Sequence, residues 1–187
     1  MAALVLGGLF SACSAPPPEP AAYIAPELRF ALPSPRELGH SVSAVQLVTA
    51  RYRGDVQMFE AHLSVSPERM TLIGLDPFGR RALTVTLTDG GITVDKASWF
   101  PQALRPENIL ADVAIVYWPE DAVRRGLART DAVLRSDAGG RSIIADGHEV
   151  VRVDYGPRQQ DAWAGAAHYR NDAFGYELDL RSAVDGP

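Results

Sequence analysis

The segment 81–88, RALTVTLT, alternates apolar and polar side chains from Leu83 onward, and this period of two constrains the fold more than any other feature of the sequence. Because successive residues of a strand point to opposite faces, the pattern predicts a strand with one face of threonines and one buried face, formed by Leu83, Val85 and Leu87. The sequence DGG follows and favours a tight turn into another strand over 92–95.

Similar but less regular patterns occur on both sides of this segment. They predict strands over 42–53, 56–65 and 69–75 before it, and over 132–136, 141–146, 148–155, 164–170 and 174–181 after it. Turn signals such as Gly54-Asp55 and Asp146-Gly147 separate several of these strands. Consecutive strands joined by tight turns indicate an antiparallel meander.

Two segments between the groups of strands predict helices instead. Residues 106–117 and 119–128 both open with proline followed by acidic residues, a composition that suits a helix N-terminus. A strand remains an alternative for 113–117, because that stretch contains several β-branched side chains. The sequence SPRE matches a capping box and predicts a short helix over 34–40.

The order of these elements predicts an α+β fold, in which a strongly curved antiparallel sheet, or incomplete β-barrel, of about ten or eleven strands carries a helical lid. A curved sheet with helices across its mouth encloses space, and such mouths are preferred ligand sites. We therefore expect Leu83, Val85 and Leu87 to line either an apolar ligand cavity or an ordinary core, since both environments require the same side chains.

The N-terminal residues carry a separate signal. Residues 2–12 are uncharged and mostly apolar, too short a stretch to span a bilayer but suited to a secretory signal. Phe10-Ser11-Ala12-Cys13 resembles the lipobox of bacterial lipoproteins, which implies that the leader is removed and that Cys13 takes acyl chains such as palmitate. An ordinary secreted protein with an incidental Cys13 is the alternative. We expect a signal peptide over 1–12, a Pro/Ala-rich tether over 13–27 and a folded domain over 28–187.

Charge and motif content argue against several classes of function. The net charge is -5 and no run of Lys or Arg is present, so the chain lacks the basic face that nucleic acid requires. One cysteine excludes an internal disulfide and a cysteine zinc cluster, and the four histidines have no metal-binding spacing. Neither a GxSxG motif nor a glycine-rich phosphate loop is present. We therefore expect a non-enzymatic protein without a cofactor.

Residues 70–88, MTLIGLDPFGRRALTVTLT, resemble the strand–turn–strand of the LolA/LolB family of lipoprotein-sorting proteins, in which an Asn-Pro-Leu-Gly turn carries a protruding apolar residue. Residues 118–127, WPEDAVRRGL, resemble the helix that helps to cover the barrel in that family. The likeness spans roughly 40–185 and is closer still to short bacterial lipoproteins of unknown function in the same superfamily. It implies an open barrel that holds acyl chains and passes them on without covalent chemistry.

The resemblance singles out the turn Asp76-Pro77-Phe78-Gly79. Phe78 is expected to project into solvent and contact a membrane or partner, with packing on the sheet edge as the alternative. We interpret Trp118 as a core anchor between helix and sheet, and a place in the wall of the ligand site is the alternative. Trp99 lies in the loop before the helices and either lines the mouth or packs within the loop.

These observations predict an outer-membrane lipoprotein, anchored by its lipid on the periplasmic face, that binds an acylated ligand, either a lipoprotein or a lipid. Ser14 follows the cysteine in place of the aspartate that resembles an inner-membrane retention signal, which favours the outer membrane. A second hypothesis is a structural or accessory envelope lipoprotein whose core is filled by its own side chains. An envelope hydrolase is a third.

Overall fold

A computed structural model describes residues 19–102, 104–157 and 163–184 of the 187-residue chain. Cys13, the predicted signal peptide and the first part of the predicted tether lie outside the described residues. The strands are β1 (Ala21–Ala25), β2 (Leu28–Ala31), β3 (Val42–Tyr52), β4 (Asp55–Ser66), β5 (Arg69–Leu75), β6 (Arg81–Thr88), β7 (Gly91–Lys96), β8 (Val133–Ser136), β9 (Gly140–Ala145), β10 (His148–Tyr155), β11 (Gly165–Asn171) and β12 (Tyr176–Val184). The helices are a 3-10 helix (Pro35–Leu38), α1 (Pro106–Tyr117) and α2 (Glu120–Leu127).

Ten of these strands form one antiparallel sheet with the order β7-β6-β5-β4-β3-β12-β11-β10-β9-β8. The sheet consists of two meanders, β3 to β7 and β8 to β12, joined where β12 pairs with β3. In the described part of the chain the edge strands β7 and β8 do not pair with each other, so the sheet is open. The structure therefore confirms the predicted α+β fold in its main elements, a large open antiparallel sheet and two α-helices.

The two faces of the sheet differ in their cover. The face that carries Leu63, Leu72 and Val85 is buried, and we call it the covered face. Leu47 and its neighbours on the other face, which we call the outer face, are more exposed. The cover includes α1, which contacts β1 and β11, and the 3-10 helix, which contacts β4 and β5. The alternating burial along β3 to β6 therefore follows the period of two in the sequence.

Helix α1 lies inside the core rather than on its surface. Every residue from Leu110 to Tyr117 is buried, and so is Trp118, which follows the helix. A helix with apolar residues on all sides needs cover on all sides. A helix can be surrounded by side chains because its backbone N–H and C=O groups bond within the helix, whereas those of a strand must bond to a neighbouring strand. The strand alternative for 113–117 is therefore wrong, and the helix predicted over 106–117 is confirmed.

The tether predicted over 13–27 is wrong in its described part. Ala21–Ala25 is strand β1, paired with β2, and its Ile24 side chain is buried. The Ile24 carbonyl accepts a hydrogen bond from the Asn171 side chain at 2.9 Å. Proline and alanine content obscured a strand that contacts α1. The folded part therefore begins before residue 28, the boundary that the sequence predicted.

Local signals predicted the other helices closely. The capping box is present, with the Ser34 N–H donating to a Glu37 carboxylate oxygen at 2.7 Å, although the 3-10 helix is shorter than the predicted 34–40. The helix predicted over 119–128 begins at Glu120, because Pro119 is its N-cap. None of the helices among the described residues has the length and apolar character needed to cross a membrane.

Candidate functional site

The turn between β5 and β6 is a compact loop closed by Asp76. The Asp76 N–H donates to the Arg80 carbonyl and the Gly79 N–H to the Asp76 carbonyl, both at 2.9 Å. One carboxylate oxygen of Asp76 accepts from the N–H groups of Phe78 and Arg80, also at 2.9 Å. Gly79 has a φ of 76°, which favours glycine. These bonds hold the backbone of the turn in one conformation, and the Phe78 side chain projects from it into solvent.

The Asp76 carboxylate is further stabilised by the Arg80 side chain. The Arg80 Nε donates to its second oxygen at 2.7 Å, and the guanidinium approaches that oxygen to 2.6 Å in an ion pair. Partial desolvation raises the pKa of Asp76, but the hydrogen bonds from the Arg80 side chain and from the N–H groups of Arg80 and Phe78 outweigh it. The pKa of Asp76 therefore lies below its ordinary value. The group is a carboxylate at neutral pH and can order the turn there.

Arg80 also lies between two exposed aromatic rings. Its guanidinium carbon is 5.8 Å from the centre of the Phe78 ring and 5.0 Å from that of Trp99, distances typical of cation–π contacts. Phe78 is 84% exposed and Trp99 is 46% exposed. We call these three residues the Phe78 cluster. The exposure of Phe78 agrees with the expected projection into solvent, and its contact with a membrane or partner stays a prediction.

The Phe78 cluster lies at one end of the sheet, which we call the Phe78 end. The β3–β4 turn is at the same end as the β5–β6 turn, because Glu60 of β4 pairs with Leu75, the last residue of β5. The β11–β12 turn is there too, since Tyr176 pairs with Tyr52. The β4–β5 and β6–β7 turns at the other end carry none of the large exposed apolar residues of the described part. Those at the Phe78 end include Tyr52, Val56, Met58, Phe78 and Trp99.

The residues expected to line a cavity lie in the core. Leu83, Val85 and Leu87 are on the covered face and at most 4% exposed. A side chain that borders an open, water-sized cavity retains accessible surface, so these three are covered by protein atoms in this structure. They can contact a ligand only if part of that cover moves.

Trp118 occupies the core position that we favoured from the sequence. Its indole N–H donates to the Ser34 carbonyl at 3.2 Å, which ties the end of α1 to the 3-10 helix. Its ring meets Trp163 edge-on with 6.2 Å between centroids, and Trp163 stacks on Tyr117 at 4.1 Å. Trp118 is thus a core anchor in this structure, and it is Trp99 that joins Phe78 at the surface.

A buried carboxyl group that no sequence pattern indicated lies on α1. Both oxygens of Asp112 are 2.8 Å from the Tyr176 hydroxyl, and the rings of Tyr169 and Tyr176 stack with 5.9 Å between centroids. Burial raises the pKa of Asp112 to about 7, although the hydroxyls of Tyr169 and Tyr176 oppose the shift. The sequence offered no signal because the tyrosines belong to strands far along the chain.

The site was only partly accessible from the sequence. Phe78 and Trp99 were singled out, whereas Arg80 was missed, and its position directly after the turn was the available signal. Among the described residues, no group of three His, Cys, Asp or Glu side chains is placed to hold a metal ion. What the Phe78 end offers is noncovalent contact, through apolar side chains that can be buried and guanidinium groups that can bind an anion.

Fold and site together define a protein with a large open antiparallel sheet, helices on one face and an ordered aromatic turn exposed at one end. The sequence profile of a family described as a protein of unknown function, DUF3261, matches residues 43–184, more than half of the chain. The chain belongs to this family. The matched range includes the ten-stranded sheet and both α-helices, apart from the first residue of β3. Comparison with curated proteins finds no match.

Proposed function

We propose that this protein is a lipid-anchored envelope protein of the LolA/LolB type, which binds an acylated ligand, a lipid or a lipoprotein, and delivers it at a membrane. In this proposal Cys13 carries the anchor and the domain faces the periplasm from the outer membrane. Transfer needs no covalent step, since an apolar ligand moves to whichever environment removes more of its surface from water. The observation that carries the proposal is the 84% exposure of Phe78 at the tip of an ordered turn.

The Phe78 cluster suits contact with lipid. Burial of an exposed phenylalanine side chain contributes about 2–3 kcal/mol. The turn is already ordered by Asp76, so contact costs little further conformational entropy. Trp99 and Arg80 favour the membrane–water interface, because each combines an apolar body with a polar group at its edge.

An acyl chain also needs an apolar surface within the domain, and the covered face has an accessible margin at edge strand β7. Val94 of β7 is on the covered face and 36% exposed, beside the partly buried Ile92. Val94 pairs with Val85, so this margin is continuous with the buried stripe. A chain that enters beside β7 gains this surface first, and deeper entry displaces cover from Val85 and Leu83.

Lipid extraction from the full-length protein tests the proposal. We expect noncovalently bound lipid or lipopeptide in the purified protein, detected by mass spectrometry after solvent extraction. Val94→Arg should lower the bound amount several-fold, because it places a charge on the apolar margin. Thr93→Arg is the matched control, since Thr93 is the preceding residue of β7 and lies on the outer face. Equal lipid content in the two variants, or protein that carries no lipid and binds no apolar dye, contradicts the proposal.

Delivery at a membrane is tested separately at Phe78. Transfer of a fluorescent acyl probe from the protein to phospholipid vesicles should slow several-fold in Phe78→Gln. Leu47→Gln removes an exposed apolar side chain from the middle of β3 on the outer face and should leave the rate unchanged. If the two variants transfer the probe equally fast, Phe78 has no part in delivery.

A structural or accessory lipoprotein with a filled core is the second candidate, and the bonds that hold α1 favour it. The Arg141 guanidinium donates to the carbonyls of Ile115 and Trp118 at 2.9 and 2.7 Å, and the Tyr155 hydroxyl donates to the Val116 carbonyl at 2.7 Å. These bonds satisfy carbonyl groups at the C-terminal end of the helix. Amide hydrogen exchange separates the two functions, because a permanently filled core gives α1 the same protection with and without lipid.

A further inference from the structure

We propose that the β3–β4 hairpin is a second membrane contact, so that the Phe78 end docks on zwitterionic phospholipid headgroups through two turns rather than one. The inference rests on the proposed lipid contact of Phe78 and extends it to a different hairpin. That hairpin brings an aromatic, a cationic and two aliphatic side chains to the Phe78 end, namely Tyr52, Arg53, Val56 and Met58.

The N-terminal end of β4 exposes two large apolar side chains. Val56 is 61% exposed and Met58 is 56% exposed, and both lie on the outer face, opposite Arg51 and Thr49 of β3. Pairing with β5 begins only at Glu60, so residues 55–59 extend past the end of β5 on the side of the Phe78 turn. Adjacent exposed apolar residues on a projecting strand end are typical of an interaction surface.

The turn itself contains a residue that its backbone disfavours. Arg53 has a φ of 51° and precedes Gly54 with a φ of 90°. Two-residue hairpin turns with a positive φ at both central residues prefer Asn, Asp or Gly at the first of them. The β9–β10 turn has Asp146 at that position, with the same φ of 51°. An arginine side chain adopts this region only at a cost in free energy. We take this disfavoured backbone conformation as an argument that the guanidinium has a role at this tip.

The Arg53 guanidinium repeats the arrangement found in the Phe78 cluster. It lies 5.0 Å from the centre of the Tyr52 ring, as Arg80 does from Trp99. An aromatic ring holds the cation while leaving N–H groups at its edge to bind phosphate oxygens. Two such pairs on neighbouring hairpins give the Phe78 end a repeated interfacial motif.

The charges beside the hairpin select the kind of headgroup. An open cleft of about 400 Å³ separates the β3–β4 turn from the β11–β12 turn. Its charged residues are mixed in sign, and they are Arg51, Arg53, Arg170, Asp55, Asp172 and Glu177. A phosphoethanolamine headgroup carries a phosphate and an ammonium, so it matches both signs, whereas an anion alone meets as many carboxylates as guanidinium groups in this cleft.

The shape of this end favours a bilayer over a protein partner. Phe78 and Met58 project from a turn and a strand end, whereas Tyr52 and Val56 border the open cleft. A fluid lipid interface adapts to projections, whereas a stable protein interface needs a complementary surface. Tyrosine, tryptophan and arginine are also the side chains that the lipid headgroup region accommodates.

Site-directed spin labelling of the full-length chain tests the inference. The chain carries Cys13→Ser, which removes its single thiol, and receives one new cysteine at a time. Labels at Met58→Cys, Val56→Cys and Phe78→Cys report the Phe78 end. Glu68→Cys, in the turn at the other end of β4, and Leu47→Cys, in the middle of β3, are the matched controls. The vesicles are phosphatidylethanolamine with a minor fraction of phosphatidylglycerol.

We expect the labels at 56, 58 and 78 to lose collisions with a water-soluble nickel reagent several-fold on addition of vesicles, and to gain collisions with oxygen. The labels at 47 and 68 should not change, whatever else anchors the chain, because each label senses only its surroundings. If the label at 78 contacts lipid while the labels at 56 and 58 both stay exposed to water, this inference is overturned and the proposed function still stands. Water at all three positions overturns both. Labels at 56 and 58 that are immobilised equally without vesicles identify a protein contact and overturn the inference.

Discussion

The Arg80 guanidinium lies 5.0 Å from the centre of the Trp99 ring, and this contact joins the β5–β6 turn to the segment after β7. Trp118 and Trp163 are buried, so a change at the surface affects the emission of Trp99 alone. Arg80→Ala should therefore alter the tryptophan emission of the folded protein with little change in the free energy of unfolding, because the arginine is exposed. Fluorescence spectra and urea titration measure the two effects.

Arg81→Ala is the control for this prediction. Arg81 is the next residue in the chain, and it pairs with Asp95 at 3.0 Å instead of with an aromatic ring. Its removal should leave the emission spectrum unchanged. Identical spectra for Arg80→Ala and the parent protein would show that Arg80 does not hold Trp99 in solution.

The buried Asp112 predicts an unusual dependence of stability on pH. Its pKa is raised from 3.8 to about 7 by burial, so between about pH 4 and pH 7 the folded protein binds a proton that the unfolded chain has lost. The free energy of unfolding should therefore fall as pH rises through this window, by up to about 1.4 kcal/mol per pH unit from this group. Asp112→Asn should remove that contribution, as measured by urea unfolding at several pH values.

In the same assay, the contribution of Asp76 to the free energy of unfolding should depend on pH in the opposite direction, and Asp76→Asn should remove it. The pKa of Asp76 is lowered, so its contribution is present above its ordinary pKa and is lost as the solution becomes more acidic.

For the first of these two groups, parallel curves of stability against pH for the parent protein and Asp112→Asn between pH 4 and pH 7 would mean that Asp112 is not buried as described.

The hydroxyl of Tyr117 should matter for the position of α1. It lies 2.7 Å from the Gln46 side-chain amide, which donates to it, and 2.8 Å from the Ser182 hydroxyl. Tyr117→Phe leaves these buried partners short of a hydrogen bond, which costs about 1–3 kcal/mol. Tyr23→Phe is the matched control, because that tyrosine is exposed. Equal stability of the two variants in chemical denaturation would argue against the polar contact between α1 and the sheet.

Gly126 on α2 should tolerate no side chain. A Cβ atom there would lie 2.4 Å from the Phe30 ring and 2.6 Å from the Ala31 carbonyl oxygen, so the β1–β2 hairpin would have to shift. Gly126→Ala should destabilise the protein by about 1–3 kcal/mol, although alanine favours a helix. Gly139→Ala is the control, since its nearest neighbour is a side-chain oxygen at 3.4 Å. A stabilised Gly126→Ala variant in thermal unfolding would contradict the packing of the hairpin on α2.

Most strands and both α-helices were predictable because their signals are local. The alternation over 81–88 predicted β6 with the bounds that the structure has, and proline with acidic residues predicted both α-helices to within one residue at each end. Side-chain period and turn chemistry act within a few residues. Strand β1 was missed because its alternate burial depends on α1, which lies more than 80 residues later in the chain.

The candidate site divides in the same way. The DPFG turn indicated an exposed Phe78 directly, since the bonds that order it join residues 76 to 80. The pairing of Arg80 with Trp99 and the presence of a second arginine–aromatic hairpin at the same end depend on the strand register. The buried Asp112 depends on the packing of α1 against β11 and β12.

The sequence by itself determined most of the strands, the approximate bounds of both α-helices, the turn that exposes Phe78, and a net charge of -5. Only the tertiary structure decided that β12 pairs with β3, that α1 is buried against β1 and β11, and that two arginine–aromatic hairpins share one end of the sheet. The reason is physical: alternation and turn preferences act between neighbours, whereas the pairing of Tyr52 with Tyr176 depends on burial summed over the whole sheet.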